Sequence, residues 1–494
     1  MARRSKAVRM KLAISAAMIF GSTEVFLASP TGAQPAVSHP APRISLTSCH
    51  VPDVKQELRC GVYHVFENRR VPGGRKLPLK IVLIPARRPH PEQGPVFYVT
   101  GGPGETATEA AADLIASGDS EEHDLVLVDE RGTGDGHRLD CPSLGSDDNL
   151  QGYLKAPFDS SAADACRRDL ERRYDLSQYS TAAFVEDLDE VRQAMGYDRI
   201  NLEAGSMGTY ASLMYIRRHG EHVRSAYLTS VVPLANRVPL YHAQAAQGAL
   251  EQLFSQCDKD APCHTAYPRL RDDFSAVLAR VHQGPVVTSV RHPVTGAKTE
   301  VHLSEQAFAD AVRVIMYSTQ TAREVPYLIE RAKSDDFSQF ADAAMRTVRG
   351  FYAGARMGLH YAVTCNEFVK RIRPEEIEPA TRGSYLGDWR VKDQMALCKA
   401  WPKTKLPADY FEPFRSDVAA VLVSGDTDPV APSRWGEEVK SFMPNATHVV
   451  VPGGGHTPDN DCTKFIRREL FRKGATHGLD LSCIAKLRPA PFKL

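Results

Sequence analysis

The chain has 494 residues, of which 43% are hydrophobic, and its net charge is +1 because 61 basic residues are balanced by 60 acidic ones. A chain of this size can bury a large core in one domain or two. Its balanced charge excludes a global bias toward nucleic acid or anionic membranes, so no nucleic-acid partner is expected.

The N-terminal segment has the pattern of an export signal. Basic residues precede an apolar stretch from Leu12 to Phe20, and small residues follow toward a cleavage point near Ala33. The stretch is well short of the roughly 20 residues that cross a bilayer. Residues 1–33 are therefore predicted to be a signal peptide, with no stable membrane insertion after cleavage. The Arg3-Arg4 pair leaves twin-arginine export open.

Seven short apolar stretches predict the strands of a mostly parallel sheet. Residues 180–195 place apolar side chains on one helical face and end at Gly196, which predicts a helix. Strands that alternate with helices are typical of an α/β fold. The predicted strands are residues 79–85, 95–100, 124–129, 199–204, 223–230, 419–424 and 447–451.

The sequence texture changes between residues 234 and 407, where apolar residues recur at helical spacing and strand-like stretches become sparse. This predicts a mainly helical cap inserted between two parts of the α/β core, residues 34–233 and 408–494. Such an insertion lies over the C-terminal ends of the strands, where open α/β sheets bind ligands. We expect the cap to shape a substrate pocket.

Ser206 stands between the predicted strand 199–204 and a helix-forming stretch, residues 210–218. A serine on a tight strand-to-helix turn exposes its hydroxyl, and small residues at positions 204 and 208 let neighbouring backbone pass. The motif departs from the GxSxG pattern because Ala204 replaces the first glycine. Ser143 mimics part of the pattern, but no strand precedes it and no helix follows. Ser206 is therefore the predicted nucleophile.

Two later segments offer an acid and a base. The predicted strand 419–424 runs into a loop with Asp426 and Asp428, and the strand 447–451 is followed by a glycine-rich loop ending in His456. The order Ser206, Asp428, His456 is that of α/β hydrolases. His456 is expected to take the serine proton and Asp428 to orient the imidazole. Asp426 remains an alternative acid, because it lies in the same loop.

Backbone donors for a developing oxyanion are expected at two places. The strand 95–100 runs into the loop Gly101-Gly102-Pro103-Gly104, which can offer bare N–H groups. The N–H of Met207 directly follows the predicted nucleophile. We expect Gly102 and Met207 to supply the two donors, each contributing on the order of 10²-fold or more in rate.

In this order the motifs resemble those of the α/β-hydrolase serine peptidases of the prolyl and tripeptidyl aminopeptidase type, over nearly all of the mature chain. The resemblance implies an α/β-hydrolase fold, peptide substrates and no cofactor, and it favours Asp428 over Asp426. Three departures, of which two border the site, leave the reaction class intact and the substrate preference open: Thr100, Ala204 and the pair Thr229-Ser230. The segments that carry the resemblance are the oxyanion loop 101–104, the DxRGxG element 129–134, the elbow 205–209, the aspartate loop 425–432 and the cysteine segments 49–60 and 462–483.

Within the DxRGxG element, Asp129 and Arg131 are interpreted as a structural pair that shapes the oxyanion side of the site rather than as participants in the chemistry. An aminopeptidase must also hold a free α-ammonium, which calls for a carboxylate in the cap. Glu367 is the candidate, because it stands close to Cys365 and relatives often place an acid at a similar motif. A carboxylesterase or lipase-like hydrolase with the same triad remains the alternative function.

Ten cysteines in an exported chain predict disulfides rather than a metal site, since the sequence has no CxxC pair or HExxH motif. We expect a secreted or periplasmic enzyme. The spacing favours bonds between sequence neighbours without proving the connectivity: Cys49 with Cys60, Cys141 with Cys166, Cys257 with Cys263, Cys365 with Cys398, and Cys462 with Cys483.

Overall fold

A computed structural model describes residues 44–155, 158–412 and 414–494. The predicted signal peptide, residues 1–33, lies outside these residues. No helix in the described ranges is long and apolar enough to cross a membrane.

The described chain forms one nine-stranded sheet and one separate hairpin. The spatial order of the large sheet is β1-β2-β3-β5-β4-β6-β7-β10-β11. The neighbours from β1 to β5 in this order pair antiparallel, and those from β5 through β4, β6, β7 and β10 to β11 pair parallel. The bounds are β1 (Thr47–Cys49), β2 (Leu58–Phe66), β3 (Lys76–Ile84), β4 (Val96–Val99), β5 (Leu125–Val128), β6 (Ile200–Gly205), β7 (Val223–Thr229), β8 (Val286–Arg291), β9 (Lys298–Leu303), β10 (Ala419–Gly425) and β11 (Ala446–Val451).

All seven predicted strands are present, and the helix predicted at residues 180–195 is observed as α3, which Ser180 caps by accepting the N–H of Ala183. The helices of the described residues are α1 (Ala111–Ala116), α2 (Ser160–Glu171), α3 (Thr181–Ala194), α4 (Met207–His219), α5 (His242–Lys259), α6 (Ala261–Ala266), α7 (Leu270–His282), α8 (Glu305–Ile315), α9 (Thr319–Ala322), α10 (Val325–Lys333), α11 (Ser338–Gly354), α12 (Met357–Val363), α13 (Ile377–Thr381), α14 (Trp389–Cys398), α15 (Arg434–Phe442) and α16 (Asp461–Lys473).

The central strands are buried on both faces because helices cover the sheet on each side. Phe97, Val126 and Leu202 have no exposed surface and pack into one cluster, whereas Val421 and Val423 pack into another with α16. The fold is therefore an α/β hydrolase sandwich with a mostly parallel sheet.

The chain between β7 and β10 forms helices α5 to α14 and the β8–β9 hairpin. Most of it has its own apolar core, in which Leu250, Phe274 and Phe308 are buried together. Helix α12 differs, since Leu359 and Val363 join the core of the main sheet. The inserted segment is thus anchored on the α/β core at its C-terminal part.

The five disulfides favoured by the cysteine spacing are all present. Cys141–Cys166 ties the loop after β5 to α2, and Cys365–Cys398 ties a π-helical turn, Thr364–Phe368, to the end of α14. The second of these bonds holds the chain on one side of the site described next.

Candidate active site

Ser206 occupies the turn between β6 and α4, with φ +54° and ψ −128°. A non-glycine residue rarely adopts a positive φ, and such strain concentrates at functional sites. Gly208 permits the turn, because a Cβ at this position would overlap the carbonyl oxygens of Val99 and Thr100. The strand–turn–helix context expected for a nucleophile elbow is therefore present.

Asp428 lies in the loop after β10, and its side chain is buried. Its Oδ1 accepts the N–H groups of Val430 and Ala431 at 2.8 and 3.0 Å. Its Oδ2 lies 2.9 Å from Nδ1 of His456. This contact places the imidazole proton on Nδ1 and leaves Nε2 as the basic nitrogen.

Asp426, the alternative acid, contacts other groups. Its Oδ1 accepts the N–H of Gly453 at 2.7 Å, and its Oδ2 accepts Nε2 of Gln256 at 3.1 Å. Burial raises the pKa of Asp426. The geometry therefore pairs Asp428, and not Asp426, with the histidine.

His456 is held by its backbone as well as by Asp428. Its N–H donates to the carbonyl of Tyr317 in the cap at 2.7 Å, and the two rings pack with centroids 5.0 Å apart. Ser206 and His456 line the same cavity, of about 550 Å³. Within the described part of the chain their side chains are not hydrogen-bonded to each other, and such bonds often tighten only when substrate is present.

Ser230 is a residue of the site that sequence reasoning named only as a departure. It is fully buried directly after β7, with φ +53°. Its hydroxyl donates to Oδ2 of Asp428 at 2.7 Å and accepts the N–H of Thr457 at 2.7 Å. One hydroxyl thus joins the acid loop to the residue after the histidine.

The glycine loop after β4 passes against the elbow. A Cβ at Gly101 would lie 3.3 Å from both the carbonyl oxygen of Gly205 and Cβ of Ser206, and Gly102 has φ +108°. Gly102 and Met207 both line the cavity. Met207 is the first residue of α4, where backbone N–H groups lack helical partners and the helix dipole favours negative charge.

The structure does not bring Glu367 into the cavity. Its side chain has no exposed surface, and its carboxylate accepts the N–H of Thr181 at 2.7 Å and the hydroxyl of Tyr410 at 2.6 Å. Thr364 and Phe368 of the same π-helical turn do line the cavity. The prediction that Glu367 holds the substrate ammonium is therefore wrong, since both carboxylate oxygens are engaged on the opposite side of the turn.

A different acid, Glu105, opens onto the cavity directly after the glycine loop. Glu105 is exposed and lines the cavity. Burial raises the pKa of Glu105, and nearby His456 opposes that rise. Sequence reasoning missed this residue, although its place immediately after Gly104 is a usable signal.

Further acids lie on the core side of the cavity. Glu203 is buried, and Arg467 donates to its Oε1 at 2.7 Å and also pairs with Asp119. Counting Glu105, this side carries five acidic side chains and one guanidinium; burial raises the pKa of Glu203 to about 8, so the other four acids give this side its acidic character. These lining residues are Glu105, Asp113, Asp119, Glu203, Asp459 and Arg467.

Arg131 and Asp129 of the DxRGxG element both support the backbone, but they do not pair with each other. Buried Arg131 donates to both carboxylate oxygens of Asp187 at 2.6 and 2.7 Å. Asp129 accepts the N–H and the hydroxyl of Thr108 at 2.9 and 3.1 Å. The structural interpretation of each residue agrees with these contacts, whereas the expected pair is wrong.

Two family models match the chain. One is described as alpha/beta hydrolase fold and spans residues 94–264, which include the glycine loop and Ser206. The other is described as TAP-like protein and spans residues 384–483, which include Asp428 and His456. The two matches thus cover separate parts of the same site.

Curated relatives share limited identity with the chain. A tripeptidyl aminopeptidase of Streptomyces coelicolor is 26% identical over 201 residues, or 36% of each chain. The serine protease Hip1 of Mycobacterium tuberculosis is 24% identical over 289 residues, 53% of this chain and 55% of the relative. Carboxylesterase B of Mycobacterium tuberculosis is 30% identical over 278 residues, 51% of this chain and 52% of the relative.

The aligned region spans between about a third and about half of the length of these relatives. The chain is thus similar to proteins named as peptidases and to one named as an esterase. Fold and family matches agree that the chain is a hydrolase. The chain has the α/β-hydrolase fold, and over part of its length it is similar to peptidases of the tripeptidyl aminopeptidase type.

Proposed function

We propose that the chain is an exported serine peptidase that cleaves peptide bonds near a free N-terminus through an acyl-serine intermediate. The observation that carries this proposal is the contact of Asp428 with His456 beside an elbow serine, in one cavity with an acidic core side. The predicted export signal and the five disulfides support a secreted or periplasmic location.

In this mechanism Nε2 of His456 removes the proton of Ser206 as the hydroxyl attacks the carbonyl carbon. Asp428 stabilises the imidazolium, and the N–H groups of Gly102 and Met207 hold the oxyanion. His456 then gives the proton to the leaving amine, which departs and leaves an acyl-serine. Water attacks the ester with His456 again as base, and the freed peptide fragment leaves.

Glu105 supports selectivity for a free amine. A Cβ at Gly101 would be 3.3 Å from Cβ of Ser206 and 3.4 Å from Oε2 of Glu105, so the carboxylate lies within about 7 Å of the serine side chain. An extended chain advances about 3.3–3.6 Å per residue. An ammonium bound by Glu105 therefore suits the release of one or two residues better than three.

The test compares anilides of Ala, Ala-Ala and Ala-Ala-Ala with the same compounds N-acetylated, using Ser206→Ala protein as the blank. The proposal predicts that free-amine substrates are cleaved faster, and that Glu105→Gln lowers this preference about 10- to 100-fold because a charge-assisted contact is lost. Glu57→Gln, at an exposed acid outside the cavity lining, is the matched control and should keep the preference.

Equal cleavage of free and acetylated peptides would contradict the proposal. The carboxylesterase alternative, favoured by the relative that is 30% identical, predicts instead that simple acyl esters are hydrolysed while every anilide is left intact. If Ser206→Ala protein turned over substrate as fast as the wild type, Ser206 could not be the nucleophile.

A further inference from the structure

The cap side of the cavity carries polar side chains that the proposed triad does not use. They come from four helices, of which α12 packs on the α/β core and contacts the glycine loop through His360 and the carbonyl of Pro103. Helix α8 supplies Asp310 and Arg313, α14 supplies Trp389, Arg390 and Gln394, α5 supplies His242, and α12 supplies His360.

This side of the cavity is cationic. Arg313 and Arg390 both donate to Oδ1 of Asp310 at 3.1 Å, so two guanidinium groups share one carboxylate. Burial lowers the pKa of His360 to about 4, and it lowers the pKa of His242 well below the usual value. Both imidazoles are therefore neutral near pH 7, and the cluster has a net charge of +1.

Several polar atoms of the cluster are buried without a partner. Among the described residues, Oε1 of Gln394, Nδ1 of His242, Nδ1 of His360 and Nε1 of Trp389 make no hydrogen bond. Gln394, His242 and His360 are each more than nine-tenths buried, at 3%, 6% and 8% exposure. Buried polar atoms are nearly always paired, so these atoms indicate a polar ligand with an acceptor facing Nε1 of Trp389 and a donor facing Oε1 of Gln394.

The chemistry of the cluster selects the ligand. An arginine fork matches the two oxygens of a carboxylate, and the indole N–H of Trp389 can only donate. The neutral imidazole of His242 can add an N–H donor, whereas that of His360 already donates to the carbonyl of Pro103, which leaves its Nδ1 as an acceptor. The net positive charge disfavours an ammonium, which the acidic core side attracts instead.

We propose that this cluster is a carboxylate-binding subsite, which takes either the side chain of Asp or Glu in the substrate or the C-terminal carboxylate of a short peptide. That the ligand is a peptide rests on the proposed function. That it carries a carboxylate is inferred from the residues of the cluster alone. A cavity that is acidic on its core side and cationic on its cap side is complementary to a short zwitterionic chain.

Two pairs of peptides separate the sources of the carboxylate. Ala-Ala-Ala-Ala is compared with its C-terminal amide, and Ala-Glu-Ala-Ala amide with Ala-Gln-Ala-Ala amide. Binding is measured calorimetrically on the Ser206→Ala protein, so that no cleavage is required. We expect the carboxylate member of at least one pair to bind about 10- to 100-fold more tightly, as for a charge-assisted contact.

Arg390→Gln should reduce that ratio toward one, and Trp389→Phe should reduce it in part, since phenylalanine keeps an aromatic ring but lacks the indole N–H. Circular dichroism and the unfolding temperature establish whether each variant is folded. If Arg390→Gln does not fold, Trp389→Phe still tests the subsite, because it removes one hydrogen-bond donor without removing a charge. Arg382→Gln is the matched control, because Arg382 is exposed and outside the cavity lining; its ratio should equal that of the parent.

Equal affinity for both members of both pairs would overturn the subsite, as would a ratio that survives both cavity variants. Failure of the proposed function has a different signature, in which active protein cleaves no free-amine peptide. The calorimetric ratio still tests the subsite in that case.

Discussion

Replacing Ser230 by alanine tests how the acid and the base of the site are held together. The buried hydroxyl bridges Asp428 and the N–H of Thr457, each at 2.7 Å. A hydrogen bond to a charged group contributes about 1.5–3 kcal/mol, and a buried donor without a partner costs about 1–3 kcal/mol. We expect Ser230→Ala to lower the free energy of unfolding by about 1–3 kcal/mol.

Loss of these hydrogen bonds should also lower kcat, because a misplaced His456 imidazole raises the activation free energy of proton transfer from Ser206. A change of 1.36 kcal/mol corresponds to about tenfold in rate, so kcat should fall about 10- to 100-fold. The KM should change little, since the hydroxyl is engaged by Asp428 and Thr457 rather than by substrate. This split between kcat and KM distinguishes a positioning role from a binding role.

Glycine provides the control for backbone strain at the same position. The φ of +53° at Ser230 costs a non-glycine residue about 1–2 kcal/mol, which glycine does not incur. Ser230→Gly should therefore lose as much kcat as Ser230→Ala. Its free energy of unfolding should be about 1 kcal/mol higher than that of Ser230→Ala. Steady-state kinetics and urea unfolding of the two variants give both numbers. Normal kcat in both would refute the positioning role.

Three further variants test the acid of the triad, the buried Glu367 and the Cys365–Cys398 disulfide. Asp428→Asn should lower kcat about 10³- to 10⁴-fold, whereas Asp426→Asn should leave kcat within a few-fold of wild type. Equal losses of kcat in the two variants would contradict Asp428 as the acid that orients His456. Burial raises the folded-state pKa of Glu367 to about 7, whereas its unfolded pKa is about 4.3. Its contribution to stability is therefore complete below about pH 4.3 and is lost as the pH rises through about 7, a change of about 3–4 kcal/mol in the free energy of unfolding. Urea unfolding across that pH range should show a smaller decline in this free energy for Glu367→Gln than for wild type, and an equal decline would contradict the prediction. Removing the Cys365–Cys398 bond, whose cysteines are 33 residues apart, with a double alanine variant should lower the free energy of unfolding by about 4 kcal/mol, and an unchanged urea midpoint would exclude that contribution.

The parts of the site that follow strands were predictable from sequence. Ser206, Asp428 and His456 each come at a fixed place after an apolar strand, and parallel strands bring their C-terminal ends to one edge of the sheet. Local patterns therefore determined both the identity of these residues and their proximity. The five neighbouring disulfides were predictable for a similar reason, since each closes a short loop.

Side-chain direction within the cap was not predictable. Glu367 and Thr364 lie in one turn, yet only Thr364 lines the cavity, because the π-helical turn directs Glu367 toward α3 and Tyr410. Glu105 was not predicted, because the sequence does not show that an acid after the glycine loop lines the same cavity as Ser206 and His456. The strand β2 was missed because exposed and buried residues alternate along it.

Covalent labelling is a direct test of Ser206 as the nucleophile. Purified mature protein is treated with a fluorophosphonate, which reacts with activated serines, and the adduct is located by peptide mass mapping alongside loss of activity. We expect a single adduct on Ser206 that forms at the same rate as activity is lost, and whose formation is slowed by a free-amine peptide. An adduct on Ser143 instead, or full inactivation with Ser206 unmodified, would contradict it.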